Sequence, residues 1–578
     1  MTRISQSNSK PEGSSPSRGL FNKGKLIRNA RRATGDVIPI WLALAIITSM
    51  PYLLAAMRAP SGHVFTGILT AYDDTFTYLA WMKQGANGHL LMCDLYTAEP
   101  QGCEFFLPLW TVLGFTARIT GAPVVVIFHA ARLLAALLLL IVARSASRRI
   151  MKSRTRLRFS LWMYAFSGGL GWLVYAVNNW NAFLKARAIT GAADLDLPEA
   201  IAFRSAYAQV HFTIGAALIC GAIILLLAAL YEEKVFRAAI AGMLVSLLAV
   251  IHPYLIIVVV AVVAIAFALW PWMIRQREDV IKRYAMSLRM AFWFGVSALP
   301  GVVYLFYLNQ SNEVLREWLR ITDTLSPQPI EYALGFGIVA ALAIVGFAIL
   351  WKLRAPYGRF FLIWILIQSA LLYAPVSFQR RLIEGLQLPL CIAATVAVFS
   401  LAHRFIGRQR FKRFRAPILV SVILLASLTN AGFIAGQVIA PAEATMASDP
   451  RRYVPSDLIA ALQWLSANVE RDTILFSSYM TGNIAPSITG TRVYLGHYGQ
   501  TLRSGEKEEA VRAFYTNSLT DEEARSLLVS NRVSYVIYGP FERAISPDFM
   551  AASWLVPAQH IGGVEIFKVV EDGKASQE

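Results

Sequence analysis

Charged side chains are scarce in this sequence: 16% of 578 residues, against 56% hydrophobic. That balance excludes a soluble globular domain and a disordered chain, and it fits a polytopic membrane protein. Cysteine is nearly absent, with 4 residues in all, which excludes a disulfide-built scaffold and a cysteine-rich metal site. Also missing are a Gly-rich phosphate loop closing on Lys and Ser or Thr, a dinucleotide fingerprint between strand and helix, and a Gly-x-Ser-x-Gly elbow. Nucleotide-dependent transfer, hydride transfer and serine hydrolysis therefore have no support, and no internal repeat is visible.

What is present begins with positive charge: 54 Lys and Arg against 36 Asp and Glu, a net +18. These residues lie between apolar runs and not along one face, so they read as topology signals, and no nucleic-acid partner is expected. Runs of roughly 20 apolar residues, the length that crosses a bilayer core, number about eleven. They fall near 37–57, 123–142, 160–177, 210–231, 238–251, 254–273, 290–308, 332–351, 360–376, 386–402 and 417–440. The stretch 238–273 is read as two spans turning at His252 and Pro253, because basic residues flank both of its ends. The first run is too long for a cleaved signal and is expected to be retained.

Basic clusters fix the orientation. The tail 1–36, "RSASRRIMKSRTRLR", "RQREDVIKRYAMSLR" and "RFIGRQRFKRFR" alternate with loops poorer in Lys and Arg. The amino terminus is thus expected in the cytoplasm of a cell (inner) membrane protein. The division is a cytoplasmic tail 1–36, a transmembrane domain 37–440 with a long first external loop 58–122, and a separate periplasmic or extracellular domain 441–578. That last segment reads as α/β: "SDLIAALQWLSANV" and "TDEEARSLLVSNRV" are capped helices, and "DTILFSS", "RVYLGH", "SYVIYGP" and "VEIFKVV" are short strands. Cys93 and Cys103 share the first loop as a disulfide candidate, with free thiols the equal alternative.

Polar clusters gather on the expected outer side. Asp73 and Asp74 open an amphipathic helix that runs past Tyr78 to Lys83, near the helix's positive end; alone, they could be a capping pair. "LPLWTVLGFTARITG", preceded by Glu104, reads as a second helix lying along the interface. "SFQRRLIEGLQLPL" sets Gln379, Arg380 and Arg381 at the outer mouth between two spans, against the inside-positive bias. They read either as an anchor or as a phosphate site, for which Arg is well suited. Arg132 sits at membrane depth, where a charge faces a polar cavity or pairs with a neighbouring helix's carboxylate. His211 and His252 lie at outer span ends, as ligand contacts or as hydrogen-bonded packing. Glu99, Glu104, Glu199, Arg204, Tyr494, His497 and Tyr498 are candidate acceptor contacts, each with ordinary turn chemistry as the alternative.

The acidic pair after the first span, followed by Tyr78 and Gly85, together with the acid-then-Pro-then-Trp stretch from Glu104 to Trp110, resembles the GT-C superfamily of membrane glycosyltransferases. That superfamily includes aminoarabinose and protein mannosyl transferases. Its usual Lys-Pro-Pro step is absent here, which leaves the donor sugar open. The resemblance implies transfer of a sugar from a polyprenyl-phosphate-linked donor to an external glycolipid, polysaccharide or protein. Under it Asp73 is the expected general base, with Asp74 as helper, and the two together are the candidate ligands of a divalent ion. Arg380 and Arg381 are expected to steady the leaving phosphate. Tyr78, Lys83, Glu99, Glu104, Arg132, His211, His252, Gln379 and His497 complete the expected substrate contacts. The alternatives are an O-antigen ligase or polymerase-like enzyme, which would lean on Arg and His, and a non-catalytic transporter of lipid-linked sugars. A transporter should carry polar groups on both sides of the midplane.

Overall fold

The computed structural model describes residues 23–183, 190–273, 280–321 and 323–570. Among them, 6 helices are long and apolar enough to cross a membrane: Thr34–Met57, Val124–Arg148, Val210–Glu232, Ile281–Ser311, Pro329–Lys352 and Gln387–Phe405. Shorter apolar helices cover Val235–Ile251, Pro253–Leu269 and Pro356–Leu371. The protein is an α-helical polytopic membrane protein with a small α/β region at its carboxy-terminal end.

Two expected spans are broken. The run at 417–440 is a pair, Arg408–Ala426 and Leu428–Ile439, bent by 60°. The run at 160–177 is interrupted between the helices Arg154–Phe166 and Gly171–Phe183. A break at membrane depth needs new partners for its freed backbone groups. Here the Gly168 amide donates to the Ala426 carbonyl at 2.7 Å, Leu170 to Leu334 at 2.8 Å, and Gly169 to the buried Asp194 carboxylate at 2.7 Å. Gly337, at φ 42°, kinks the facing helix against Leu170.

The seven strands are β1 (His63–Phe65), β2 (Tyr453–Pro455), β3 (Ile474–Phe476), β4 (Arg492–Val493), β5 (Val533–Tyr538), β6 (Leu555–Ile561) and β7 (Val564–Val569). One sheet has the order β4-β3-β5-β7-β6, parallel across β4-β3-β5 and antiparallel across β5-β7-β6. The described part of the carboxy-terminal segment, 441–570, is joined to the first loop. Strand β1, in the first loop, pairs antiparallel with β2, and the Val493 amide donates to the Leu95 carbonyl at 2.9 Å, so the first loop extends the edge of the sheet.

The first loop is itself well braced. Its helices Tyr72–Ala86 and Pro108–Thr120 cross so closely that a Cβ on Gly114 would lie 2.3 Å from the Met82 carbonyl oxygen. Cys93 and Cys103 are joined in a disulfide. Roof and floor of the functional region are therefore assembled from chain segments far apart in sequence.

Candidate active site

The acidic pair occupies the first turn of Tyr72–Ala86, directly after Ala71, which adopts a left-handed backbone at φ 50°. A non-glycine residue in that region costs about 1 kcal/mol or more, and here it aims the start of the helix at the cavity described below. Successive residues on a helix point about 100° apart, so the two carboxylates diverge.

Asp73 faces the carboxy-terminal region. Its Oδ1 accepts from Arg451 Nη1 at 2.9 Å and from the Tyr479 hydroxyl at 2.5 Å. Arg451 is held in turn by Asp449, at 2.7 Å, and by the Asn483 side-chain oxygen, at 2.9 Å. Burial pushes the Asp73 carboxyl upward, but the hydrogen bonds from Arg451 and Tyr479 outweigh it and hold its pKa below the usual value. An acid so stabilised as an anion is a weak base.

Asp74 faces a cavity of about 280 Å³, lined also by Tyr78, Glu199, Arg204, His211, Arg380 and Arg381. Its Oδ1 lies 3.8 Å from His497 Nε2. Burial works against the Arg381 charge, yet Glu199, Tyr78, Tyr254 and Asp74 raise its pKa, which keeps a cation facing the cavity. The Nε of Arg380 and Oε1 of Glu199 are buried without a hydrogen-bond partner. In the wall itself the Tyr78 hydroxyl is 3.4 Å from His211 Nε2; behind it His211 meets His252 edge-on at 5.6 Å, and His252 Nδ1 sits 2.9 Å from Glu384, out of line for a hydrogen bond.

Several expected contacts lie elsewhere. Lys83 packs on Gly490. Glu99 pairs with Lys507 at 2.8 Å, and Glu104 accepts from Ser311 at 3.1 Å. Gln379 braces a turn, accepting from the Ser326 amide at 3.1 Å and donating to the Ala374 carbonyl at 2.7 Å. Among the described residues, Arg132 reaches no carboxylate. It donates to the Ala206 carbonyl at 2.9 Å and the Ser49 hydroxyl at 3.2 Å, and lies over the Tyr52 ring at 4.9 Å, so it pins the break before the helix Val210–Glu232. His252 belongs to the second layer, one ring removed from the cavity.

A divalent ion needs several oxygen ligands converging on one point. The two carboxylates diverge, Asp73 is already engaged by a guanidinium, and among the described residues no group of 3 or more His, Cys, Asp or Glu side chains gathers. The pair as placed does not fit a metal.

Arg451, Tyr479 and Asn483 were not anticipated from the sequence. The adjacent Arg451 and Arg452, early in an expected external segment, run against the inside-positive bias just as Arg380 and Arg381 do, and that signal could have found them.

No profile of a known protein family matches the chain, and no curated protein matches it. Its fold is that of the GT-C type of membrane protein. Among solved structures it is similar to ArnT from Cupriavidus metallidurans bound to undecaprenyl phosphate, at 12% identity and TM-score 0.50, over 93% of this chain and 99% of that one. It is similar to the arabinofuranosyltransferase AftD from Mycobacteria, at 14% identity and TM-score 0.51, over 92% of this chain and 40% of that one. A third is the archaeal oligosaccharyltransferase AglB from Archaeoglobus fulgidus in complex with an inhibitory peptide and a dolichol-phosphate, at 13% identity and TM-score 0.50, over 86% and 69% of the two chains.

Proposed function

We propose that this protein is an integral membrane glycosyltransferase that moves a sugar from a polyprenyl-phosphate donor to an acceptor hydroxyl on the outer side of the membrane. The observation that carries the reading is that Asp74, Arg380 and Arg381 line one cavity. Undecaprenyl phosphate and dolichol-phosphate are held by two of the proteins that share the fold, which supports a lipid-linked donor. The acceptor is a glycolipid, a polysaccharide or a protein.

In this reading the acceptor oxygen attacks the anomeric carbon, the bond from that carbon to the phosphate oxygen breaks, and the configuration inverts. Asp74 takes the hydroxyl proton, because it faces the cavity while Asp73 is tied to Arg451. The departing phosphate carries its charge onto Arg380 and Arg381, whose planar donors suit phosphate oxygens. Glu199, with a buried oxygen free of partners, accepts from a sugar hydroxyl. The prenyl chain lies between spans, and the carboxy-terminal region closes the site from outside.

The test is release of polyprenyl phosphate from a panel of polyprenyl-phosphate hexoses and pentoses, with the purified protein in lipid nanodiscs and a cell-envelope extract as acceptor. Transfer from at least one donor supports the reading. Inactivity with every donor, while the protein still flips lipid-linked sugar between leaflets, contradicts it.

A further inference from the structure

His497 belongs to the carboxy-terminal region, on the loop after β4, and its side chain is buried at 2% exposure. Its ring is fixed on both flanks: Tyr498 stacks on it at 4.8 Å, and Tyr96 meets it edge-on at 5.7 Å. Its Nδ1 accepts two backbone hydrogen bonds, from Gly499 at 3.0 Å and Gln500 at 3.1 Å. A ring nitrogen that accepts from amides carries no hydrogen of its own, so in the neutral ring the one N–H is on Nε2. That Nε2 is buried without a hydrogen-bond partner and lies 3.8 Å from Asp74 Oδ1.

A buried donor left unmet is destabilising, and the nearest carboxylate is one small side-chain movement from meeting it. His497 cannot move, because its ring is clamped. Asp74 can, with 44% of its side chain exposed.

We propose that His497 is the positioning residue for Asp74: its Nε2–H binds one carboxylate oxygen when substrate fills the cavity and leaves the other aimed at the acceptor hydroxyl. The inference rests on the glycosyltransferase reading with Asp74 as base. It gives the carboxy-terminal region a direct part in catalysis, since the group that aims the base comes from beyond the last span.

The experiment compares His497→Leu, His497→Gln, Asp74→Asn and the double variant Asp74→Asn/His497→Leu in the nanodisc transfer assay, using whichever donor of the panel is turned over. Loss of a hydrogen bond to a charged group should lower kcat of His497→Leu roughly 10–100-fold, with the donor KM within about twofold. His497→Gln, which keeps an N–H donor, should recover most of the loss, and the double variant should be no slower than Asp74→Asn alone. The proposal is overturned if His497→Leu keeps native kcat, if His497→Gln is as slow as His497→Leu, or if the two substitutions act additively. Native activity of Asp74→Asn would instead overturn the underlying reading of the site.

Discussion

Asp73 and Arg451 are separated by 378 positions in the chain and by 2.9 Å in the structure. The pair fastens the carboxy-terminal region to the first loop at the edge of the cavity, and it divides the labour of two adjacent acids. Asp73 holds the carboxy-terminal region, which in the proposed reading leaves Asp74 for chemistry.

Asp73→Asn should cost about 1–3 kcal/mol of stability, because it leaves a buried guanidinium short of one charged partner. The folded-state pKa of Asp73 lies below its ordinary 3.8, so its contribution is fully present above that pH and is lost as pH falls through the depressed value. In thermal melts from pH 7 downward, the gap between native protein and variant should hold to about pH 4 and close below it. A gap that widens on acidification would contradict the assignment.

Arg380→Ala and Arg381→Ala should each raise the donor KM about 10-fold or more, as expected for the loss of a charge-assisted bond to phosphate. Lysine should restore less than half of the effect at either position, because it keeps the charge but not the two-pronged geometry. Steady-state kinetics against a varied lipid-linked donor measure both.

Gly114→Ala should be disruptive although the change is a single methyl group, because the new Cβ would stand 2.3 Å from the Met82 carbonyl oxygen. The two loop helices would have to separate, and a loss of more than about 2 kcal/mol is expected, on the scale of overpacked cores. The lesion should appear in thermal stability and in activity together.

Reduction of Cys93–Cys103 releases a short closed loop, 10 positions across, worth about 2–3 kcal/mol in a chain-entropy treatment. A lowered melting temperature in reductant that the Cys93→Ser/Cys103→Ser variant does not show further is the expected result.

The helical membrane core was legible from composition, because runs of apolar residues and the placement of Lys and Arg report the bilayer directly. The break inside 160–177 was not, because Ser167 to Leu170 is apolar enough to continue a span, and only the facing carbonyls of Ala426 and Leu334 show where its amides go. Four of the carboxy-terminal strands carried clear β-rich runs. Strand β6 did not, since Pro557 and polar residues mark an edge strand that propensity alone does not reveal.

In the site, Asp74, Arg380, Arg381, His211 and Tyr78 were anticipated and meet at one cavity. The order of the two acids was not readable, because spacing on a helix fixes the angle between neighbours but not which of them a distant arginine will claim. Lys83, Glu99 and Gln379 share the expected side of the membrane with the cavity and none of its walls. Membrane side is a weaker guide to a site than the long-range pairing of β1 with β2, which no local pattern announces.

The most direct measurement is sugar transfer by Asp74→Asn set beside Asp73→Asn, with both variants shown to be folded. The account predicts a kcat at least about 100-fold lower for Asp74→Asn, the scale of a lost general base, with donor KM preserved, while Asp73→Asn keeps most of its turnover at a temperature well below its melting point. Native turnover by Asp74→Asn together with an inactive, folded Asp73→Asn would contradict it.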